Sequence, residues 1–323
     1  KLYIMGRFIS FVAAVALLAG AASCQREAAP GEASKAVFSV VVPEAATKAD
    51  VSDGSLVDKL FYEVYVGNTM MYSGDVGPVS TSNPKTFSLE INLVKGITYD
   101  ILFWAQKGAQ TCYDLSNGLK KVMVSYDGDA NDETRDAFYA ACKNFQLTDK
   151  PTTVYLTRPF AQINFGSHST ADSTSDWKTA LPFMENADGT LTLLSQLEAP
   201  KLPTCFDVHA GDVVDGHFAE NVVLEFSAAP ATWGSYGTDI IYQNETYKRV
   251  SMNYVLASSL GDELTQVKAS FKHNFNASTP LEQVVLHVPV RQNYRTNILG
   301  NVFTDGNEFT IIVKPGFTGD NIL

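Results

Sequence analysis

Residues 87–105 read FSLEINLVKGITYDILFWA, and this stretch decides the fold class. In residues 87–93 apolar and polar side chains alternate, which is the period of a half-buried β-strand. Residues 99–105 form a mostly apolar run that is rich in aromatic side chains, which is typical of a buried strand. The stretch therefore predicts two strands of a protein built from β-sheets.

Runs of the same kind occupy most of the chain. We predict strands at 37–42, 60–66, 87–93, 99–105, 121–126, 153–157, 160–165, 222–226, 247–257, 266–271, 283–289, 294–303 and 309–313. Turn-rich sequences such as SGDVGP and DGDAND separate them. Many short strands with few helical signals predict an all-β protein made of β-sandwiches.

Two stretches differ from this pattern. DETRDAFYAACKNF, residues 132–145, places apolar or small residues at spacings of three and four and begins with acidic residues. This spacing predicts one short helix, and an extended crossing between sheets is the alternative. Residues 181–205 have a mixed pattern that assigns them to no element.

The length of 323 residues indicates two domains at about 150 residues each. We place the boundary near Arg158 and Pro159, because proline cannot donate to a ladder and commonly begins or ends a strand. The predicted organisation is a signal peptide at 1–23, a flexible tether at 24–36, an N-terminal β-sandwich at 37–157 and a C-terminal β-sandwich at 158–323.

The charge balance excludes one class of partner. The chain has 24 Lys and Arg residues against 35 Asp and Glu residues, for a formal net charge of −11. Nucleic-acid binding requires clustered basic side chains, and the sequence contains no basic stripe. We therefore expect no nucleic-acid partner.

The first residues read as a targeting signal. Arg7 precedes an apolar run at 8–18, and small residues then lead to Cys24. This run is too short to span a bilayer, and the pattern is that of a secretory signal whose start is Met5. The residues before Cys24 resemble a bacterial lipobox, with Ala21 where Leu is commoner, which predicts lipidation of Cys24. A plain secretion signal with an incidental cysteine is the alternative.

The remaining cysteines define no disulfide framework. Cys112, Cys142 and Cys205 are an odd number, which allows at most one intrachain bridge. A Cys112–Cys142 bridge and three small buried thiols are both compatible with the sequence.

The sequence contains no hydrolase, metalloprotease, dinucleotide or phosphate-loop motif. The densest polar cluster is DVHAGDVVDGH, with Asp207, His209, Asp212, Asp215 and His217. Such side chains bind divalent metals, but their spacing matches no standard ligand pattern, and an acidic loop is the favoured interpretation. We predict no catalytic residue, no metal site and no cofactor, and expect that the protein is not an enzyme.

Two further loops carry weaker signals. DGDANDE, residues 127–133, begins like a calcium loop, but an EF-hand would need Gly and Glu where Asp132 and Phe138 stand. A solvated turn is therefore favoured. Trp233 and Tyr236 offer aromatic rings that stack on sugars, although such rings at strand ends more often belong to the core or its rim.

Several phrases together resemble one protein family. They are VFSVVVPEAATKA at 37–49, DGSLVDKLFYEVY at 53–65, YDILFWAQ at 99–106, VSYDGDANDETRDAFYA at 124–140, YLTRPFAQINFG at 155–166 and VPVRQNYRTNILGNVFT at 288–304. With the lipobox before Cys24, they resemble the fimbrillin-like lipoproteins of Bacteroidales, relatives of the type V pilins. The resemblance is weakest over residues 169–207 and in the last few residues.

The resemblance implies two transthyretin-like, Ig-like Greek-key β-sandwich domains and a lipid anchor in the outer membrane. It also implies removal of the first strand by a protease and polymerisation into a pilus, with a strand of another subunit filling the groove. In this chain residues 37–42 are the strand to be lost, and Lys48 is the cleavage point, where relatives are cut after arginine. Ser173 in Asp-Ser-Thr matches the short O-glycosylation signal of this bacterial group.

The predicted function is that of a surface-exposed outer-membrane lipoprotein that serves as a fimbrial structural or accessory subunit and contributes to adhesion. Its partners would be other pilin subunits, the outer membrane through Cys24, and a host or bacterial surface ligand. The alternative is a monomeric surface lipoprotein that binds glycan or host protein through sandwich loops.

Overall fold

The computed structural model describes residues 31, 33–43, 53–80, 84–168, 193–226, 239–272, 280–303 and 309–315. These residues form twenty strands and two short 3-10 turns, at Leu119–Lys121 and Glu133–Arg135. The strands are β1 (Ala33–Val41), β2 (Lys59–Val66), β3 (Thr69–Val76), β4 (Thr86–Val94), β5 (Thr98–Gln106), β6 (Tyr113–Asp114), β7 (Val122–Val124), β8 (Phe138–Gln146), β9 (Thr152–Tyr155), β10 (Phe160–His168), β11 (Leu194–Pro203), β12 (Cys205–Asp207), β13 (Asp212–Val213), β14 (Phe218–Leu224), β15 (Ile240–Tyr242), β16 (Glu245–Leu256), β17 (Asp262–Lys272), β18 (Leu281–Val290), β19 (Tyr294–Gly300) and β20 (Thr310–Pro315).

Two sheets pack face to face in the first half of the chain. Sheet I has the order β4-β1-β9 and sheet II the order β3-β2-β5-β8. Their facing side chains form one apolar core, in which Phe38 of sheet I lies 5.8 Å from Phe103 of sheet II between ring centroids. Alternation of buried and exposed residues along β4 produces this arrangement, because only one face of the strand meets the core.

Two further sheets pack face to face in the second half. Sheet IV has the order β15-β16-β10-β19-β20, and sheet V has the order β14-β11-β17-β18. Phe165 of sheet IV and Phe271 of sheet V meet edge to face in their shared core, at 6.1 Å between ring centroids. β10 is buried along nearly its whole length, and its buried residues include the polar Gln162, Asn164 and Ser167 as well as apolar ones.

Sheet III joins the two halves. Its order is β13-β12-β7-β6, so β6 and β7 come from before Arg158 while β12 and β13 come from after it. Sheet III covers the outer face of sheet II, where Trp104 lies 5.4 Å from Tyr113 and 6.2 Å from Phe206 between ring centroids. Tyr113 also contacts Phe160 of sheet IV, so the apolar core continues from one half into the other.

The helix predicted over residues 132–145 is wrong. The segment forms the 3-10 turn at Glu133–Arg135 and then strand β8, which pairs antiparallel with β5. Phe138 and Ala140 pack into the core between sheets I and II, whereas Tyr139 and Ala141 pack toward sheet III. Since both faces of β8 meet apolar neighbours, its apolar residues imitate helical spacing while the backbone is extended.

The all-β fold class is confirmed, and each predicted strand overlaps an observed one. Strands β3, β6, β12, β13 and β15 were not predicted, and β11 lies within the stretch that the sequence left unassigned. Cys112, Cys142 and Cys205 are free thiols, so the Cys112–Cys142 bridge is not formed. Among the described residues, none belongs to a helix that is long and apolar enough to cross a membrane.

Candidate functional site: the first strand and the junction of the halves

Strand β1 occupies the centre of sheet I. It pairs antiparallel with β4 over all nine of its residues and parallel with β9 over residues 38–41. Beyond its end, the Val42 N–H donates to the Lys85 carbonyl, and the Leu156 N–H donates to the Val41 carbonyl. β1 is therefore the only link between β4 and β9 within this sheet of the described chain.

The inward side chains of β1, together with Val42 just after it, fill the core between sheets I and II at alternate positions. Ala36, Phe38, Val40 and Val42 are each at most 2% exposed. The Phe38 ring lies 5.1 Å from the Phe145 ring between centroids, in addition to its contact with Phe103. Removal of β1 would leave two bare strand edges and a row of four apolar pockets.

Val42, the last side chain of this row, lies close to the backbone of Gly54. Gly54 has a φ of +74°, and a Cβ added there would lie 2.7 Å from the Val42 side chain. Any larger residue at position 54 would displace either Val42 or the neighbouring Phe138 ring. The fit around Val42 therefore depends on glycine at this turn.

A buried ion pair lies where the first half meets the second. Arg158 Nε and Nη2 donate to the two carboxylate oxygens of Asp136 at 2.7 and 2.8 Å, and both residues are at most 3% exposed. The Arg158 guanidinium also stacks on the Phe138 ring at 4.3 Å. Burial raises the pKa of the Asp136 carboxyl, and Arg158 opposes that shift. This pair holds the connection between β9 and β10 against the start of β8.

The loop before Asp136 reaches into the second half of the chain. The Asn131 N–H donates to Asn253 Oδ1 at 3.0 Å, Asn131 Nδ2 donates to Ser195 Oγ at 2.7 Å, and Asn131 Oδ1 accepts from the Met252 N–H at 2.9 Å. Asn131 thus contacts β16 of sheet IV and β11 of sheet V at once. Nearby, Tyr126 donates to the Pro203 carbonyl and accepts from the Leu256 N–H.

We expect Asn131→Ala to lower the free energy of unfolding by about 1–3 kcal/mol, because the buried Met252 N–H and Ser195 hydroxyl lose their partner. Denaturant unfolding of the full chain measures this change. Asn131 has a φ of 60°, so Asn131→Gly is the matched control that removes backbone strain and keeps the loss of hydrogen bonds. A glycine variant clearly more stable than the wild type would contradict the prediction, because the relief of strain would then outweigh these hydrogen bonds.

The acidic cluster at 207–217 is not gathered into one site. The Asp207 carboxylate accepts from the His209 and Ala210 N–H groups. His209 Nε2 lies 2.9 Å from Asp100 Oδ2 on β5. Burial raises the pKa of the Asp100 carboxyl. The hydrogen bonds from the Asn144 N–H and from His209 lower it by more, so the pKa lies below its ordinary value.

Asp212 of that cluster also makes structural contacts. Asp212 accepts from the Ser259 hydroxyl and N–H, which hold its pKa below the ordinary value despite partial burial. Over the part of the chain that the structure describes, no three His, Cys, Asp or Glu side chains come together as a metal-binding group.

The loop at 127–133 is likewise structural. Asp127 offers its backbone carbonyl to Arg135 Nη2, and Asp132 accepts from the Thr134 N–H as the cap of the 3-10 turn. Asn131 lies in the stretch that resembles a calcium loop, but nothing in the sequence indicated its actual hydrogen bonds or the pairing of Asp136 with Arg158. The only local signal is polar residues beside apolar ones in DANDETRDAF, because their partners lie far away in sequence.

Several predicted residues lie outside the described part of the chain. They are Cys24, Lys48, Ser173, Trp233 and Tyr236. Lipidation, proteolytic processing, O-glycosylation and aromatic stacking at these positions stay predictions.

The fold and the site define an all-β protein of stacked sheets whose first strand is the centre of its sheet. The chain belongs to the family of unknown function DUF6562, which it matches over residues 31–322. Among curated proteins, no sequence matches this chain.

Solved structures that are similar to this chain include a fimbrial assembly protein from Parabacteroides distasonis. It has 12% identity and a TM-score of 0.47, and the match covers 87% of this chain and 95% of that one. The tip fimbrial protein Mfa3 from Porphyromonas gingivalis, with C-terminal truncation, is similar at 12% identity and a TM-score of 0.45, covering 87% of this chain and 100% of that one.

Proposed function

We propose that this protein is a surface-exposed lipoprotein of the outer membrane that serves as a fimbrial structural or accessory subunit, and that it assembles by strand donation. The observation that carries the proposal is the position of β1. It is a terminal strand of the described fold, yet it fills the centre of sheet I. The sequence resemblance to fimbrillin-like lipoproteins supplies the biological setting.

A strand from another subunit could take the place of β1. Without it, β4 would lose nine paired residues and β9 would lose four. A strand from another subunit with apolar side chains at alternate positions would restore the ladder and refill the pockets of Ala36, Phe38, Val40 and Val42. The groove thus accepts one register of an alternating strand and rejects a register shifted by one residue.

Two further elements of the proposal lie outside the described residues. Cys24 would carry the lipid, and cleavage after Lys48 would release β1 together with that anchor. The role is structural, and we propose no catalytic activity for this chain.

Mass spectrometry of the protein from the surface of its own cells tests processing. A mature chain that begins at Ala49 without lipid supports strand loss, whereas a chain that begins at acylated Cys24 supports an anchor or a monomeric binder. Lys48→Gln should abolish the shorter form, and Lys95→Gln is the control at an exposed lysine in another turn. An unmodified start before or beyond Cys24, other than Ala49, would contradict lipidation.

A disulfide that ties β1 to β4 should block assembly. Ser39 and Ser88 are directly opposed in the antiparallel register and do not point into the core. Cysteines at such opposed positions lie within bridging distance. In the variant Ser39→Cys/Ser88→Cys, we expect polymers to be absent after oxidation and to appear when a reductant is present. Electron microscopy and gel analysis of protease-treated protein provide the measurement.

Each single cysteine variant is a control for this disulfide, because it cannot form the bridge and should polymerise under oxidising conditions. If the locked protein polymerised as fast as the reduced protein, release of β1 would not be required for assembly, and strand donation at this groove would be rejected.

A further inference from the structure

Sheet V splits between its two central strands, β11 and β17. β11 and β17 pair antiparallel up to the Glu198 and Lys268 position, where their pairing ends. Both strands continue beyond it, β11 paired with β14 and β17 paired with β18. The space between residues 199–203 and residues 262–267 is called the split cleft here.

The sequence of β11 explains the split. Pro200 and Pro203 have no N–H group, so they cannot donate to β17. The Pro203 carbonyl is held by the Tyr126 hydroxyl, and two residues later the chain enters β12 of sheet III. β11 therefore leaves sheet V in order to reach sheet III, and its departure uncovers one edge of β17.

The split cleft consists of two depressions that meet at Pro200. One has a volume of about 320 Å³ and a mostly polar lining that includes Glu198, Asn221, Gln266 and Lys268. The other has a volume of about 220 Å³. Its lining is more apolar and includes Phe218, Leu256, Ala257, Leu264 and Val290.

The charges at the apolar end are unbalanced. Asp262 is exposed. Within the described residues its carboxylate accepts only from the Glu263 N–H and forms no ion pair with a cationic side chain. The Glu263 carboxylate lies beside His287. Lys201 on the opposite wall is 4.1 Å from the centre of the Phe218 ring, on which it stacks. Asp262 therefore offers an uncompensated negative charge at the rim.

We propose that the split cleft binds an extended segment of another polypeptide, which adds to the uncovered edge of β17. Six residues of β17 span about 20 Å, which matches an extended segment of five or six residues. The segment would pair with the free backbone groups of β17, place apolar side chains over Leu256 and Leu264, and set a lysine or arginine beside Asp262. This site is separate from the groove of β1, and the inference does not rest on the proposed function.

An extended polypeptide is favoured because the cleft combines three features. A strand edge provides a row of alternating donors and acceptors, which a second strand satisfies in full. The floor is apolar and buried, with Leu256 and Ala257 each 1% exposed. The free charge at the rim is negative, which selects a basic residue in the partner.

The test uses phage-displayed random heptapeptides selected on the immobilised full chain. We expect the enriched peptides to share alternating apolar residues and one lysine or arginine. A fluorescein-labelled synthetic copy should bind Thr265→Trp at least about tenfold more weakly than the wild type, because the indole would fill the cleft at an exposed, lining position. Thr69→Trp, at an exposed position on edge strand β3, is the matched control and should bind normally.

Two further measurements keep the test decisive if Thr265→Trp fails to fold. Asp262→Asn should weaken the basic peptides about threefold. Hydrogen exchange of the wild type should show slower exchange at residues 262–267 when the peptide is bound. The proposal is overturned if no heptapeptide is enriched, if Thr265→Trp folds and binds as tightly as the wild type, or if protection appears on other strands only.

Discussion

Replacing Phe38 with alanine is expected to lower the free energy of unfolding by about 3–5 kcal/mol, the cost of emptying a large aromatic site in a packed core. Phe38 is fully buried and contacts the rings of Phe103 and Phe145. The measurement is denaturant unfolding of the full chain, followed by circular dichroism. The expected loss is large because Phe38 connects sheet I to sheet II near the middle of β1.

The matched control for this prediction is Ser39→Ala. Ser39 is the next residue of β1 and points away from the core, so its truncation should change stability by less than about 0.5 kcal/mol. If Phe38→Ala cost as little as Ser39→Ala, β1 would not be packed as described. Strand donation would then lose its physical basis, because an empty groove would cost the subunit nothing.

Replacing Asp136 with asparagine is expected to destabilise the protein by about 3–5 kcal/mol. The substitution keeps the shape of the side chain but leaves the buried Arg158 guanidinium without its counter-charge. Thermal and denaturant unfolding both measure the loss. Since the pair holds the connection between the halves, we also expect faster proteolysis near residue 158.

A double variant separates charge from packing. In Asp136→Leu/Arg158→Met both charges are removed, and methionine keeps contact with the Phe138 ring. Replacement of a buried pair by apolar residues is often neutral or stabilising, so the double variant should regain most of the stability lost in Asp136→Asn. A double variant that is less stable than Asp136→Asn would show that the hydrogen bonds outweigh the cost of burying the charges.

The sequence predicted strands well where one face of a strand is buried. In β4 the alternation of Phe87, Leu89 and Ile91 with polar residues reports directly which face meets the core. The same rule failed for β8, because the apolar neighbours of Phe138 and Tyr139 lie on opposite faces. No local pattern distinguishes a strand buried on both faces from a short amphipathic helix.

The site was less predictable than the strands. The sequence of residues 37–42 predicts a strand, but the central position of that strand between β4 and β9 depends on pairings with distant parts of the chain. Asn131 bonds to a residue 122 positions away, and nothing in its neighbourhood indicates that partner. Local sequence carries the period of a strand, whereas the partners across a core are set by the whole topology.

Sheet III can form only after strands from both halves of the chain have been made. Tyr126 donates a hydrogen bond to the Pro203 carbonyl, and Pro203 is 77 residues further along the chain. At translation rates of about 5–20 residues per second, roughly 4 to 15 s pass before that partner is made. Sheet II is complete once β8 ends at Gln146, and its outer face, which includes Trp104, has no cover from β12 until Cys205–Asp207 is made. A chain whose first half folds before its second half therefore exposes the aromatic side chains of that face to solvent or to chaperones.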